Sequence, residues 1–352
     1  MDRPDTPADG GPVASAARRS ARRQPGMHDV AARAGVSHQT VSRVLNGDPT
    51  VRPATRETVL EAVRALGYRR NRAARALVTR RTATVGVLAP GSALFGPTST
   101  LVAVEGAARE AGYFVSVATV PGWAPEGIGR ALEHFMEHGV EALVVIAPHD
   151  DAVAALGRVG VEVPVVVVGP ASPGGGLHAV SVDQHRGARL ATRHLLDLGH
   201  AGVAHVAGPA DWIDARERLR GWTDELAADA RAVPAPVLGD WTARSGYEAG
   251  RALLAGDLPT AVFAANDQLA LGLLRAFAEA GVRVPEDVSV VGFDDVDGSA
   301  YFHPPLTTVR QDFDALGRRC LALVVALLEG AAPADELLEP HLVVRGSTAP
   351  PR

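Results

Sequence analysis

Lysine does not occur in this sequence of 352 residues, and Cys320 is its only cysteine. A single cysteine excludes a disulfide within the chain, a composition typical of proteins from a reducing cytoplasm. No apolar run approaches the roughly 18–20 residues that a membrane helix requires. The first 26 residues are rich in Pro, Ala, Ser and Arg and lack the apolar segment of a secretory signal. These absences predict a cytoplasmic protein without membrane contact, in which residues 1–26 form a disordered basic tail.

Acidic and basic residues are unevenly distributed along the chain. All 35 basic residues are arginines, and sixteen of them lie in the first 81 residues beside only seven acids. That segment therefore carries +9 and the remainder −14, within a total of −5. A basic module joined to an acidic body is typical of a protein that places one end on a polyanion. Charge alone leaves nucleic-acid binding and an ordinary basic tail equally open.

Residues 27–70 have the pattern of three short helices. The first helix is predicted from His28 to Ala34, and Gly35 forms the turn that follows it. Ser37 has the hydroxyl of an N-cap for a second helix ending at Leu45. The third helix is predicted to start near Pro53, because a missing N–H costs nothing at the first helical position.

The second helix has two different faces. Its apolar stripe is shared with valines of the other two helices, whereas polar side chains lie near its N-terminal end. A solvated helix face would look the same, but a helix-turn-helix protein presents base-reading side chains at this place. Arg43 can pair with guanine and Gln39 with adenine, while Thr40 and Ser42 suit phosphates. The pattern therefore favours DNA binding.

The string DVAARAGVSHQTVSRVLNGDPTVRPATRETVLEAVRALGY resembles, without gaps, the helix-turn-helix domain of the lactose repressor–galactose repressor family. The resemblance implies a sequence-specific regulator of transcription that binds double-stranded, pseudo-palindromic operator DNA. It also implies that His38, Gln39 and Arg43 read bases. The complete set of DNA-binding residues expected on this domain is Ser37, His38, Gln39, Thr40, Ser42, Arg43 and Asn46.

Residues 71–81 belong to an arginine-rich segment, RRNRAARALVTRR, that follows this domain. An ordinary interdomain linker has a similar composition. The resemblance instead implies a hinge helix that orders on DNA and inserts Leu77 into the minor groove as an apolar wedge. Asn71, Arg72 and Ala74 are the other hinge residues expected to contact DNA. Such a short helix is marginal by itself, so its folding can follow the state of the attached body.

From residue 82 onward, apolar strand-like runs alternate with helical patterns, which predicts parallel sheets covered by helices on both faces. The predicted strands are Ala83–Leu88, Phe114–Ala118, Ala142–Ile146, Val163–Val168, Val203–Ala207, Thr260–Ala264 and Val288–Phe293. The predicted helices are Thr100–Ala111, Gly127–His138, Gly187–Leu198, Ala215–Asp229, Arg244–Ala255, Gln268–Ala280 and Phe313–Leu328. So many units predict two doubly wound α/β subdomains with a ligand cleft between them.

Polar and aromatic side chains stand where several of these strands end. They are Trp241, the pairs Asn266-Asp267 and Asp294-Asp295, Gln311 and Phe313. Each of them alone is more often a turn, cap or surface residue. Together they favour a polyhydroxylated ligand, because carboxylates and amides bind hydroxyls and an aromatic ring covers the apolar face of a sugar.

The resemblance continues through the body in HLLDLGHAGVAHVAGP, GDWTARSGYEAGRALLAGDLPTAVFAANDQLALG, VPEDVSVVGFDDVD and HPPLTTVRQDFDALG. It implies a periplasmic-binding-protein-like, sugar-binding core over 82–352. The implied subdomains are 82–181 plus 312–340 and 182–311 plus 341–352. The implied ligand-binding residues are Leu94, Arg218, Trp241, Asn266, Asp294, Gln311 and Phe313. The expected function is an allosteric repressor of carbohydrate-utilisation genes.

Two departures bear on the effector. VVVVGPASPGGG lacks the acidic side chain of lactose-binding members, and Pro90 replaces a serine. Another glycoside or disaccharide is therefore at least as good a candidate as lactose or allolactose. The chain stops without a leucine-heptad tail, which favours a homodimer that matches a two-fold operator.

Other classes of function remain as alternatives. An enzyme would need a catalytic motif, and no Walker loop, G-x-S-x-G elbow or dinucleotide fingerprint occurs. The sequence therefore predicts no enzyme activity, cofactor or metal. A non-sugar effector such as a nucleoside, a sugar-binding module without gene control, activation instead of repression, and an effector that strengthens DNA binding all stay open.

Overall fold

The structure, a computed structural model, describes residues 25–68, 81–158, 161–170 and 177–352. Two compact units divide the chain, Met1–Val78 and Thr79–Arg352. Residues 1–24 of the predicted tail lie outside the described residues, as do the hinge residues Asn71, Arg72, Ala74 and Leu77.

In the described part of the first unit there are three helices, and their bounds agree with the sequence prediction to within one residue. They are α1 Met27–Ala34, α2 His38–Leu45 and α3 Pro53–Leu66. Gly35 and Gly67 end α1 and α3 in the left-handed conformation, which glycine adopts without steric cost. The small core between the helices contains Val30, Val41, Val44 and Val59. This core fixes α2 with its polar face outward.

Two six-stranded sheets form the second unit. The strands of the first sheet are β1 Thr84–Pro90, β2 Phe114–Val120, β3 Ala142–Ile146, β4 Val165–Val168, β5 His178–Val182 and β11 Glu336–Leu338. Those of the second sheet are β6 Ala204–Ala207, β7 Val237–Leu238, β8 Ala261–Ala264, β9 Ser289–Asp294, β10 Thr307–Arg310 and β12 His341–Val343. The strand orders are β11-β5-β4-β3-β1-β2 and β12-β10-β9-β8-β6-β7. All neighbours are parallel except β10 and β12.

Helices cover both faces of each sheet. They are α4 Phe95–Glu110, α5 Pro125–Glu137, α6 Asp150–Arg158, α7 Gln184–Asp197, α8 Ile213–Ala228, α9 Ala243–Leu254, α10 Asp267–Glu279 and α11 Phe313–Leu328. A 3-10 turn adds Ser299–Tyr301. Four apolar cores lie between these helices and the sheet faces. The two doubly wound α/β subdomains predicted from the sequence are therefore present.

The backbone passes from one sheet to the other three times within the second unit. These crossings lie between β5 and α7, between β10 and α11, and between β11 and β12. Gln184 opens α7 at the first crossing, and Gln311 lies in the second. The Gln184 amide donates a hydrogen bond of 2.8 Å to the Gln311 side chain, so two crossing segments are joined directly.

All seven predicted strands occur, but five strands and one helix of the described chain were not predicted. The additional elements are β5, β7, β10, β11, β12 and α6. These strands have two to five residues and several carry polar side chains, so they lack the continuous apolar run that marks a central parallel strand. Helix α4 also begins at Phe95 instead of Thr100, because Pro97 is tolerated in the first turn of a helix.

Candidate DNA-reading helix and ligand cleft

The N-terminal end of α2 presents the predicted DNA-reading side chains on an exposed face. Ser37 caps the helix, its hydroxyl accepting a 3.1 Å hydrogen bond from the Thr40 backbone N–H. Ser37, His38 and Gln39 are exposed, and Thr40 is half-buried. The imidazole of His38 stacks on that of His28, with ring centroids 4.7 Å apart. This stacking restrains one of the predicted base-reading side chains before any ligand is present.

Arg43 continues the same exposed surface one turn later. Its side chain is 67% exposed and lies 3.7 Å from the Asp48 carboxylate, a loose contact that leaves the guanidinium accessible. Ser42 is half-buried and Asn46 exposed, and the Asn46 amide reaches the Ser42 hydroxyl at 3.5 Å. The seven residues predicted on this domain therefore lie on α2 or at its two caps, and each of them is exposed or half-buried.

A cavity of about 980 Å³ lies between the two sheets of the second unit. Segments from both subdomains line it, mainly where parallel strands end and helices begin. All seven residues predicted to bind a ligand lie in its wall, namely Leu94, Arg218, Trp241, Asn266, Asp294, Gln311 and Phe313. On one side, Leu94 precedes α4, and Phe95 meets Phe313 edge to face with centroids 5.6 Å apart.

Four buried side chains form a closed ring of polar contacts at one wall of the cavity. Arg218 donates to Gln184 at 2.9 Å, and Gln184 donates to Gln311 at 2.8 Å. Gln311 donates to the Asp294 carboxylate at 2.7 Å, which lies 3.5 Å from the Arg218 guanidinium. Because Gln184 and Gln311 occupy two crossings, this ring joins the wall of the cavity to the segments that connect the subdomains.

Arg218 is the centre of positive charge in that ring. It is 3% exposed, donates to the carbonyl of Ala265 and stacks over Phe293 at 3.8 Å from the ring centroid. Burial raises the pKa of Asp294 to about 6, while Arg218 and Gln311 act in the opposite direction. Asp294 also has φ 107°, a conformation that non-glycine residues rarely adopt. Strain and a buried charge at one residue are typical of a functional site.

Asp267 and Asp295, the second residues of the predicted pairs Asn266-Asp267 and Asp294-Asp295, have structural roles. Asp267 is fully buried behind the wall and accepts hydrogen bonds from Val296, Ser299 and Thr308. Burial and the nearby Asp294 raise the pKa of Asp267 to about 7. Asp295 lines the cavity, but its carboxylate is held by Arg310 at 2.6 Å and Arg345 at 2.7 Å.

Trp241 forms an aromatic wall of the cavity. Its backbone has φ 74°, and the Asn266 amide donates to its carbonyl at 3.1 Å. Arg218 lies 5.4 Å from the centroid of the indole, and the ring of Trp212 meets it edge to face at 5.6 Å. The indole N–H is buried without an acceptor among the described residues. A buried donor of this kind costs about 1–3 kcal/mol, so a bound ligand or water would be stabilising there.

Comparisons with known proteins match this architecture. Residues 26–71 match the family of bacterial regulatory proteins described as lacI, and residues 192–348 match the periplasmic binding protein-like domain. The chain is 37% identical over 330 residues to the lactose operon repressor of Escherichia coli K12, covering 92% of this chain and 91% of that protein. The protein belongs to the lacI family.

Other lacI-family proteins are similarly close. The HTH-type transcriptional regulator CelR of Thermobifida fusca is 38% identical over 340 residues, covering 93% of this chain and 99% of CelR. Among solved structures, the lac repressor dimer bound to operator and the anti-inducer ONPF has a TM-score of 0.80 at 36% identity, covering 93% and 100%. The CelR–cellobiose complex has a TM-score of 0.68 at 35% identity, covering 92% and 99%. These relatives are regulators of transcription.

Several cavity residues of this lacI-family chain were missed by sequence reasoning. They are Phe95, Gln184, Trp212 and Asp214. Trp212 and Asp214 follow the end of β6. They could have been identified in the same way as Asn266 and Asp294, as aromatic or polar residues located after a predicted strand. Gln184 gave no such signal, because its importance comes from partners distant in the sequence.

A contact between the subdomains borders the cavity beside Trp212. The Ile213 backbone N–H donates to the Pro148 carbonyl at 2.9 Å, and the His149 ring lies edge to face on Trp212 at 4.9 Å. Arg216 and Asp150 form an ion pair of 2.6 Å across the same junction. The loop after β3 thus holds Trp212 in place.

No group of three or more His, Cys, Asp or Glu side chains is placed to hold a metal ion in the part of the chain that the structure describes. Within the same part, no helix is both long and apolar enough to cross a membrane.

Proposed function

We propose that this protein is a transcriptional repressor of carbohydrate-utilisation genes that binds operator DNA as a homodimer and is released by a sugar. The observation that carries the proposal is the combination, in one chain, of an exposed helix-turn-helix reading face and a polar, aromatic-walled cleft. The relatives support it, since one solved structure is a lac repressor dimer on its operator and another is CelR with cellobiose. A glycoside or disaccharide is the proposed effector.

The proposed reading face comprises the seven residues of α2 and its flanks. Arg43 and Gln39 would pair with bases in the major groove, whereas Ser37, Thr40 and Ser42 would position the helix on phosphates. The segment 71–81 would act as the hinge in the minor groove. The subdomain boundaries proposed from the sequence, 82–181 plus 312–340 and 182–311 plus 341–352, accompany this assignment. The protein would act in the cytoplasm, on chromosomal DNA, without catalysing a reaction.

Dimer formation is supported by apolar side chains that remain exposed in one subunit. Val102 of α4 is 66% exposed, and Phe114 and Val117 of the edge strand β2 are 55% and 45% exposed. Exposed apolar groups on a surface helix and an edge strand are typical of an interaction surface. A two-fold axis would present two α2 helices to two operator half-sites.

The polar ring offers a route by which sugar binding would reach the DNA-binding unit. Hydroxyls that bind Asp294 or Arg218 compete with the bonds that these residues make to Gln311 and Gln184. Those glutamines lie at two of the crossings, where a small rotation changes the angle between the subdomains. A sugar that favours one angle would shift the equilibrium between the DNA-binding and released states, and the coupling would be reciprocal.

The experiment that tests this function selects DNA ligands from random sequence with the full-length protein. The selected duplex is then titrated by fluorescence anisotropy with and without disaccharides. We expect Arg43→Ala to weaken binding roughly 5- to 150-fold and to relax the preference at one base pair per half-site. A uniform loss on every sequence would refute base reading by Arg43. Stronger operator binding in the presence of sugar would refute release by the effector.

A further inference from the structure

Asp214, in the first turn of α8, is a carboxylate of the cavity wall whose role the proposed function leaves unassigned. It is half-buried, and no hydrogen bond or ion pair to it occurs among the described residues. Of the other cavity acids that are not exposed, Asp294 is engaged by Gln311 and Asp295 by two arginines. Burial and the charge of Glu217 raise the pKa of Asp214, and the charge of Arg218 only partly opposes this effect. Asp214 therefore has unused capacity to accept hydrogen bonds.

The charge of the cavity wall restricts what can bind there. Six acids line it, namely Asp214, Asp294, Asp295, Asp297, Asp312 and Asp314, against the two arginines Arg218 and Arg310. This excess of negative charge repels phosphates and carboxylates. A neutral ligand rich in hydroxyl donors would satisfy Asp214 without introducing a further charge.

An aromatic surface stands beside Asp214. Trp212 lies two residues before it, and its ring meets those of Trp241 and His149 edge to face, with centroids 5.6 and 4.9 Å away. The backbone bridge between His149 and Trp212 fixes the position of this indole. A rigid aromatic ring next to an unpaired carboxylate is a suitable surface for a sugar ring, which has an apolar face and a hydroxyl edge.

We propose that Trp212 and Asp214 form a second sugar subsite beside that of Trp241, Asp294 and Asn266, so that the effector is a neutral disaccharide. One ring occupies the Trp241 subsite. The other packs against Trp212 and donates hydroxyl hydrogens to Asp214. This assignment rests on the proposed function as a sugar-responsive regulator, and it narrows the effector to unphosphorylated molecules of two sugar rings or more.

The test compares the full-length wild type with Asp214→Asn and with the control Glu248→Gln. Glu248 is an exposed acid of α9 that does not line the cavity and whose side chain has no hydrogen bond or ion pair among the described residues. Calorimetric titrations use cellobiose, maltose and lactose, their monosaccharides glucose and galactose, and glucose 6-phosphate. We expect one disaccharide to bind at least tenfold more tightly than its monosaccharides. Asp214→Asn should weaken the binding of that disaccharide about tenfold or more, because a charge-assisted hydrogen bond is lost. The same substitution should change the affinity for the monosaccharides less than twofold.

Stability without sugar separates a ligand-binding role from a structural one. Folding raises the pKa of Asp214 above its ordinary value of 3.8. At pH values above 3.8, ionisation of Asp214 therefore destabilises the native state relative to the unfolded state. Asp214→Asn should therefore unfold at the same or a higher temperature at pH 7.5, with the difference shrinking as the pH falls towards 3.8. A carboxylate kept to stabilise the start of α8 predicts the opposite, a lower unfolding temperature in the variant.

Each remaining outcome is decisive. The proposed subsite is wrong if Asp214→Asn binds the disaccharide as tightly as the wild type does. It is also wrong if the substitution weakens disaccharide and monosaccharide binding equally, or if glucose 6-phosphate binds most tightly. The proposed regulatory function would survive these results. If no sugar of the panel binds while the wild type still binds its selected DNA, both the subsite and the sugar effector are refuted. Failure of the wild type to select any DNA sequence would instead refute the regulatory function itself.

Discussion

Gly208, at the end of the β6 segment, sets the position of the Trp241 ring. A Cβ atom at residue 208 would lie 2.4, 2.5 and 2.7 Å from three atoms of the six-membered ring of the indole. Ordinary contacts are about 3.4 Å or longer, so Gly208→Ala must displace the ring by nearly 1 Å. Trp212 and Arg218 pack against the same indole, and Trp241 is only 6% exposed. The ring therefore cannot move without disturbing the cavity wall.

Two costs follow from this displacement. Overpacking of a buried site lowers the free energy of unfolding by about 1–3 kcal/mol. Loss of the correct aromatic contact to a sugar removes about 0.5–1.5 kcal/mol, which corresponds to a roughly 2- to 12-fold weaker sugar affinity. Operator affinity in the absence of sugar should stay within twofold, because Gly208 belongs to the ligand-binding unit.

The assay combines urea denaturation, sugar titration by calorimetry and operator titration by anisotropy. Gly202→Ala is the matched control, since a Cβ atom there meets nothing within 4 Å; it should be neutral or slightly stabilising. In a Trp241→Phe background, Gly208→Ala should lower the free energy of unfolding by less than half as much. The smaller phenyl ring does not reach the position where the added methyl group would clash with the indole. Wild-type sugar affinity and stability in Gly208→Ala would refute the argument that this glycine positions Trp241.

Two further predictions concern the same cleft. Trp241→Ala should abolish the sugar response while operator affinity without sugar stays within twofold, measured by anisotropy; loss of DNA binding would assign Trp241 a structural role instead. Arg218→Met should lower the free energy of unfolding in urea by about 3–5 kcal/mol, because it leaves the Asp294 carboxylate buried without its counter-charge. Adding Asp294→Asn to that variant should restore part of the loss, and a double variant less stable than the single one would contradict the pairing.

Local sequence signals determined the first unit almost completely. Ser37, Gly35, Pro53 and Gly67 mark helix ends through their own side chains or backbone freedom, so neighbouring residues suffice to place them. The inward valines and the outward polar residues of α2 follow from the helical period.

Part of the cleft was also within reach of sequence reasoning. Asn266 follows β8 and Asp294 ends β9, two neighbouring parallel strands, so their side chains lie at the same carboxyl edge of the sheet. The strand-end pattern alone did not distinguish Asp294 from Asp267 and Asp295, because all three are acids next to strand ends; only the family resemblance singled out Asp294. Burial and partners separate them: Asp267 is enclosed by three donors, and Asp295 is neutralised by two arginines.

Tertiary structure alone decided the contacts between distant segments. Gln184 and Gln311 are 127 residues apart, and His149 and Asp211 are 62 apart, yet each pair is hydrogen-bonded. The spacing of Gly208 from Trp241 likewise depends on how two strand exits converge. Helical and strand periodicity reports only which face of an element is buried. Which partner lies against that face depends on how the chain crosses between the sheets, and in this protein two of the crossings contain Gln184 and Gln311 of the polar ring.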